Sequence, residues 1–199
     1  MLETVLNEHF LVCAVFLLAV LLIAAWFVYV RVPALPWQFR CRVTWVCDGD
    51  TVWVRTWYGR RLKLRLAGID APESEQEFGE ESQKVLENLV GGRSVSVTVI
   101  DRDHFGRFVA GIECRGEDVC LRMLEEGAAW PYFQYFRNLP ADKASAYREA
   151  GRAARNAGRG LWRNARAETP WDWRKRHRSL WARFVYWLKR LLRRLSGRR

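Results

Sequence analysis

Residues 61–73 read Arg-Leu-Lys-Leu-Arg-Leu-Ala-Gly-Ile-Asp-Ala-Pro-Glu. Leu62, Leu64 and Leu66 alternate with Arg61, Lys63 and Arg65, so an extended chain here has one apolar face and one charged face. A period of two is the mark of a half-buried strand, and it predicts a strand from Arg61 to Ile69. Asp70-Ala71-Pro72-Glu73 then reads as a turn or a helix lead-in.

Working outward, Cys41 to Cys47 alternates and is rich enough in β-branched residues for a strand. Asp48-Gly49-Asp50 is a turn signal, and Thr51 to Arg55 alternates again. Downstream, Glu77 to Val90 has helical composition and stops at Gly91-Gly92. Ser94 to Ile100 (SVSVTVI) is a strand. A second strand, Phe108 to Cys114, is entered through Asp103-His104-Phe105-Gly106. Val119 to Glu126 and Ala141 to Ala157 complete the set as helices. Five short strands with interposed helices predict an α+β fold around a five-stranded OB-type β-barrel with three helices.

The net charge of +11 is unevenly distributed. From Trp171 to Arg199 there are eleven Lys/Arg against one acid, Asp172, which leaves residues 1–170 close to neutral. A bulk-charge argument for nucleic-acid binding therefore does not extend to the central domain.

Four segments carry candidate chemistry: Asp48-Gly49-Asp50-Thr51, Arg65, Asp70-Ala71-Pro72-Glu73 and Asp103-His104-Phe105-Gly106-Arg107. Each alone is better explained as a hairpin turn, a solvated strand face or a helix lead-in. In this order, with RLxLRLAGIDAPE, SVSVTVIDRDHFGR, LRMLEEGAAW, a closing helix ending in Gly-Leu-Trp and Pro170 to Arg174, they resemble the staphylococcal nuclease (thermonuclease) family from Gln38 to Asn164. The resemblance implies an OB-fold nuclease of DNA and RNA that depends on Ca²⁺ and breaks the bond to the 5′ oxygen. It also implies roles for individual residues. Asp50, Asp70 and the main-chain carbonyl of Ala71 would hold the cation. Glu73 would be the general base, and Arg65 and Arg107 would hold the phosphate. Asp48 and Thr51 would support the metal turn. Phe105 stands where the best-known member has Tyr, and Tyr132 and Phe133 lie near a second family Tyr; these rings would stack bases. The alternative is an OB-fold module that binds nucleic acid without cutting it.

That chemistry is coherent on physical grounds. A phosphodiester repels hydroxide, and a hard cation in an oxygen cage offsets the repulsion. Arg suits the phosphate because its planar fork binds two oxygens and stays charged.

The two ends predict membrane contact. Phe10 to Val30 has no charged residue and is about as long as the ~20 residues a membrane-spanning helix needs. Trp26 and Tyr29 sit near one end of it. An acidic leader, Glu3 and Glu8, and the length of the run favour a retained anchor over a cleaved signal. Arg31, Arg40 and Arg42 follow the run and point to a cytoplasmic domain, whereas a need for calcium points outward; the side stays open. At the other end Leu180, Phe184, Trp187, Leu188, Leu191 and Leu195 recur at helical spacing with Arg and Lys off the stripe. This basic amphipathic helix suits an anionic membrane surface first, a helix packed on the barrel second and nucleic-acid capture third.

The expected organisation is an N-terminal transmembrane anchor over 1–31, a Pro-containing linker over 32–38, the nuclease domain over 39–166 and a basic tail over 167–199, acting as a single-pass membrane monomer. Cys41 and Cys47 are ~20 Å apart on one strand, too far to bridge. Cys114 and Cys120 flank a turn, and buried free thiols are the expected state.

Overall fold

The computed structural model describes residues 15–22 and 37–177. Residues 15–22 form helix α1, with exposed side chains. Among the described residues no helix is long and apolar enough to cross a membrane. Most of the run from Phe10 to Val30, and all of the stripe from Leu180 to Leu195, lie outside them.

The second unit begins at Gln38. Strands β1 (Trp37–Asp48), β2 (Thr51–Thr56) and β3 (Arg61–Leu66) pair antiparallel in succession. Strand β5 (Ser94–Arg102) lies beside β1 and pairs antiparallel with β6 (Phe108–Cys114). A parallel ladder between β3 and β6, matching Leu64 to Phe108 and Leu66 to Ala110, closes these five strands into a barrel. Closure removes the exposed strand edges an open sheet would leave. Val43, Val52, Val54, Leu64, Leu66, Val97, Val99 and Ile112 fill the interior, all essentially inaccessible to solvent. Each such side chain contributes roughly 1.5–3 kcal/mol through burial, which is why the alternating pattern commits the charged face outward.

Three helices pack on the barrel. Helix α2 (Gly79–Val90) buries Ser82, Leu86 and Val90 at four-residue spacing, one face of the helix. Helix α3 (Val119–Glu125) is capped by Asp118, whose Oδ1 accepts from the N–H groups of Cys120 (3.0 Å) and Leu121 (3.2 Å). The same carboxylate accepts from the Tyr147 hydroxyl at 2.9 Å and from Lys143 Nζ at 3.0 Å, tying helix α4 (Ala141–Asn156) to α3. A further helix, α5, occupies residues 170–177.

Several boundaries shift by one or two residues from expectation, and two shift further. Strand β1 starts at Trp37, inside the segment read as linker. The strand expected to run on to Ile69 stops at Leu66, and Ile69–Asp70 forms a separate short strand, β4, paired with Trp130–Pro131, which we number β8. (The two-residue strand β7 is Glu117–Asp118.) Gly68 makes the break: its φ of +74° lies in the left-handed region, and a Cβ there would meet Leu139 Cδ1 at 2.7 Å. Asp70 is thereby lifted off the barrel strand and set opposite Trp130.

Cys41, Cys47, Cys114 and Cys120 are free thiols, and all but Cys47 are buried. Burial pushes the thiols of Cys41 and Cys120 up, to about 11 and about 12.

The turn between β1 and β2 is held by the Asp50 N–H donating to Asp48 Oδ1 at 3.0 Å. Gly49 at its apex touches α2 so closely that a Cβ would lie 1.8 Å from Ser82 Oγ and 2.6 Å from Ala71 Cβ. Ser82 cannot yield easily, because its Oγ donates to the Ala128 carbonyl at 2.6 Å. Gly49→Ala is therefore expected to lower stability by about 1–3 kcal/mol, as overpacked cores do. Urea denaturation would read this as an earlier midpoint; an unchanged midpoint would show that the turn retreats freely.

Candidate active site

Asp50 leaves the turn into β2, Arg65 stands near the end of β3, and Asp70 lies on β4. The register places Thr51 directly opposite Arg65. Arg65 lies between the two acids: Nη2 donates to Asp70 Oδ1 at 2.6 Å, and Nη1 is ion-paired with Asp50 Oδ2. Asp50 is fixed further. Its Oδ2 accepts from the Ala71 N–H at 2.8 Å, and its Oδ1 accepts from Thr51 Oγ1 at 2.9 Å. Its carbonyl accepts from the Leu66 N–H at 2.8 Å. Asp70 is fully buried and Asp50 nearly so, and charges this deep persist only when paired.

The electrostatics follow from crowding. Burial, reinforced by the charge of Asp50, pushes the Asp48 carboxyl up to about 7. Burial also raises Asp70 above the ordinary carboxylate range, against the lowering pull of Arg174 and Arg65. Burial works against the charge on Arg65, but Asp50 and Asp70 outweigh it and hold its pKa above the usual arginine value.

Glu73 lies on the loop between β4 and α2. The loop is clasped by Gln76, a buried residue that sequence reasoning did not single out. Its Oε1 accepts from the Glu73 N–H at 3.2 Å, its N–H donates to the Glu73 carbonyl at 2.9 Å, and its Nε2 donates to the Glu168 carbonyl at 2.7 Å. Gly79 opens α2 so close to this loop that a Cβ would fall 2.0 Å from the Glu73 carbonyl oxygen.

A second residue that sequence reasoning missed is Arg174, on α5. Its Nη2 donates to Asp70 Oδ2 at 2.7 Å, and its Nη1 donates to Glu73 Oε1 at 2.7 Å and to Asp70 Oδ1 at 3.2 Å. The segment expected to open a separate tail thus reaches the carboxylates. A signal was present in the sequence: Thr169-Pro170-Trp171-Asp172 has the form of a capped helix start, with Thr at the cap and Pro at the first helical position. The structure has that cap, the Asp172 N–H donating to Thr169 Oγ1 at 3.3 Å and Thr169 Oγ1 donating to Asp172 Oδ2 at 2.7 Å.

Arg107 follows the turn before β6. Its Nε donates to Asp103 Oδ2 at 2.7 Å, and its Nη1 donates to Thr51 Oγ1 at 3.4 Å, which brings it to the rim beside Asp50. Phe105 is 70% exposed and lies under the Arg107 guanidinium, 5.5 Å from ring centroid to Cζ. Tyr132 stacks on Trp171 at 5.7 Å, and its N–H donates to the Gly68 carbonyl. Phe133 is exposed and packs edge-on against Phe136.

Among the described residues no group of three or more His, Cys, Asp or Glu side chains is disposed as a ready metal cage; the carboxylates are turned to guanidinium groups instead. The donor set nevertheless fits a hard divalent cation. It is all oxygen, and the three acids Asp50, Asp70 and Glu73 outnumber the two guanidinium groups bonded among them. Oxygen donors of this kind suit Ca²⁺ or Mg²⁺ rather than a softer metal.

Residues 63–164 match the sequence profile of the family described as staphylococcal nuclease homologue. An uncharacterized endonuclease of Escherichia coli O157:H7 is 37% identical over 72% of this chain and 90% of its own length. Another, of Haemophilus influenzae, is 34% identical over 69% of this chain and 74% of its own. A probable staphylococcal-like nuclease of Oryza sativa subsp. japonica is 41% identical over 67% of this chain, and the chain spans about a third of that relative's length.

Proposed function

Because this chain belongs to the staphylococcal nuclease homologue family, we propose that it is a calcium-dependent nuclease that hydrolyses phosphodiester bonds of DNA and RNA while tethered to a membrane. The observation that carries the reading is the buried pairing of Asp50 and Asp70 about Arg65, with Glu73 joined to the same cluster through Arg174. Asp50, Asp70 and the Ala71 carbonyl would hold the cation. A cation bound there would supply a Lewis acid for the phosphoryl oxygen and would offset the charge that repels hydroxide. Glu73 takes a proton from the attacking water; its side chain is one-third exposed, so water reaches it. Arg65 and Arg107 hold the oxygens of the scissile phosphate and the charge that grows on them. Phe105, Tyr132 and Phe133 offer ring faces to neighbouring bases.

The outer face of the barrel supports a polyanionic substrate. Its register sets Arg42, Arg55 and Arg61 side by side across three strands, and Trp45, Trp53 and Lys63 in the next row. The row after that holds Asp48, Thr51 and Arg65, so the face runs into the catalytic cluster. Arg61 and Lys63 lie over the Trp53 ring at 5.4 and 5.8 Å. No acid stands in the first two rows. Cations interleaved with indoles suit a single strand, whose phosphates and bases alternate.

The run from Phe10 to Val30 serves in this reading as a single-pass anchor, and the apolar stripe from Leu180 to Leu195, with the Arg and Lys that flank it, as a segment for an anionic membrane surface.

Three outcomes follow from this reading. Glu73→Gln should lower kcat about 10³-fold on DNA and on RNA with KM little changed, within the 10²–10⁴ typical of a general base; full wild-type activity in chelator would sink the calcium assignment. Replacing Arg42, Arg55 and Arg61 together by Ala should raise KM for a long single strand about tenfold with kcat retained. The salt slope of its binding should flatten by about 2, at ~0.7 per phosphate contact; an unchanged slope would remove the face from the substrate path. The full chain should stay with membranes through carbonate washing, whereas release by carbonate would rule out a spanning anchor.

A further inference from the structure

The family profile ends at residue 164, yet the carboxylate cluster takes three hydrogen bonds from Arg174, beyond that limit. The side chain is delivered there by a fixed support. Pro170 is buried. The Trp171 ring lies 5.8 Å from Trp130 and 5.7 Å from Tyr132, the residues that flank Pro131 of strand β8, partner of the Asp70 strand. The Glu168 carbonyl is bonded to Gln76, the residue that clasps the Glu73 loop. The start of α5 is thus joined to both segments that bear the acids.

Arg65 and Arg174 differ in their freedom. Arg65 is 12% exposed and held by two acids from the barrel wall. Arg174 is 39% exposed at the end of a long stem, so its guanidinium can shift while the α5 backbone stays in place. Its donors span Asp70 and Glu73, one acid for the cation and one for the water. A phosphorus atom under attack must sit between those two positions.

We propose that Arg174 is a third guanidinium of the catalytic centre, supplied by the C-terminal helix. In the resting enzyme it is paired with both Asp70 and Glu73. In the loaded enzyme it gives up Asp70 to the cation and bonds the scissile phosphate. Two consequences of opposite sign separate this role from others. Arg174 competes with the cation for Asp70, so its loss tightens cation binding. It also contacts the charge that grows in the transition state, so its loss slows turnover. The proposal rests on the nuclease reading above.

The test uses the full chain and its Arg174→Ala and Arg174→Lys variants. Calcium affinity is measured by calorimetry without substrate, and kcat and KM on single-stranded DNA. Arg174→Ala should bind Ca²⁺ about 5–10-fold more tightly and turn over about 10²-fold more slowly. Arg174→Lys, which keeps the charge without the planar fork, should fall between. Tighter cation binding with faster turnover would make Arg174 an inhibitory plug and overturn the proposal. Weaker cation binding with slower turnover and a lower melting temperature would make it a structural tie, and no change in either quantity would make it a bystander; both outcomes also overturn the proposal. If the wild-type chain cuts nothing at any calcium concentration, the nuclease reading fails, and with it the phosphate contact. The calorimetric arm still reports separately whether Arg174 competes for Asp70.

Discussion

The site depends on how Asp50 and Asp70 are held together inside a protein. Two carboxylates this close repel each other, and burial adds the cost of lost hydration to each. Arg65 answers both costs at once by bonding one acid with each arm of its fork. It can do so only because three strands end at one place: β2 begins with Asp50 before it, β3 carries Arg65 opposite Thr51, and β4 returns Asp70 across the gap. The barrel is the frame that makes this meeting obligatory, and the β3–β6 ladder that closes it lies on the same strand as Arg65.

Close approach of backbone to backbone does the remaining positioning. At Gly49, at Gly68 and at Gly79 a methyl group would collide with Ser82, with Leu139 and with the Glu73 carbonyl respectively. These three contacts set the Asp50 turn against α2, turn the chain toward Asp70 and press the Glu73 loop onto the helix start. Gln76 adds the polar counterpart, since one amide side chain satisfies both the Glu73 loop and the Glu168 carbonyl. The acids are placed by what surrounds their backbone more than by their own side-chain packing.

The sequence made much of this legible, for a physical reason. Strand alternation in Arg61, Lys63 and Arg65 is a local signal, so the five barrel strands could be read with errors only at their ends. The turn chemistry of Asp48-Gly49-Asp50 is local as well. The break at Gly68 was hidden, because nothing in RLKLRLAGI distinguishes a glycine inside a strand from one that ends it; the reason lies in Leu139 and Tyr147, distant in the chain. Arg174 was hidden more deeply. It meets Asp70 across 104 positions and Glu73 across 101, and although Pro170 to Arg174 belongs to the family likeness, nothing local says that its arginine faces inward. Its helix start was readable, but its contact was not.

This bears on where the functional unit ends. The family profile begins at residue 63, after the Asp48 and Asp50 turn, and ends at 164, before Arg174. Both excluded stretches contribute to the same cluster. The turn supplies one of the two acids that Arg65 joins, and α5 supplies the guanidinium that reaches Asp70 and Glu73. A cluster of like charges is held by the sum of its partners, so removing one leaves the remaining acids less fully paired. The carboxylate cluster therefore draws on the chain from the Asp48–Asp50 turn through residue 174, and a boundary drawn at the end of the closing helix would remove Arg174 from it.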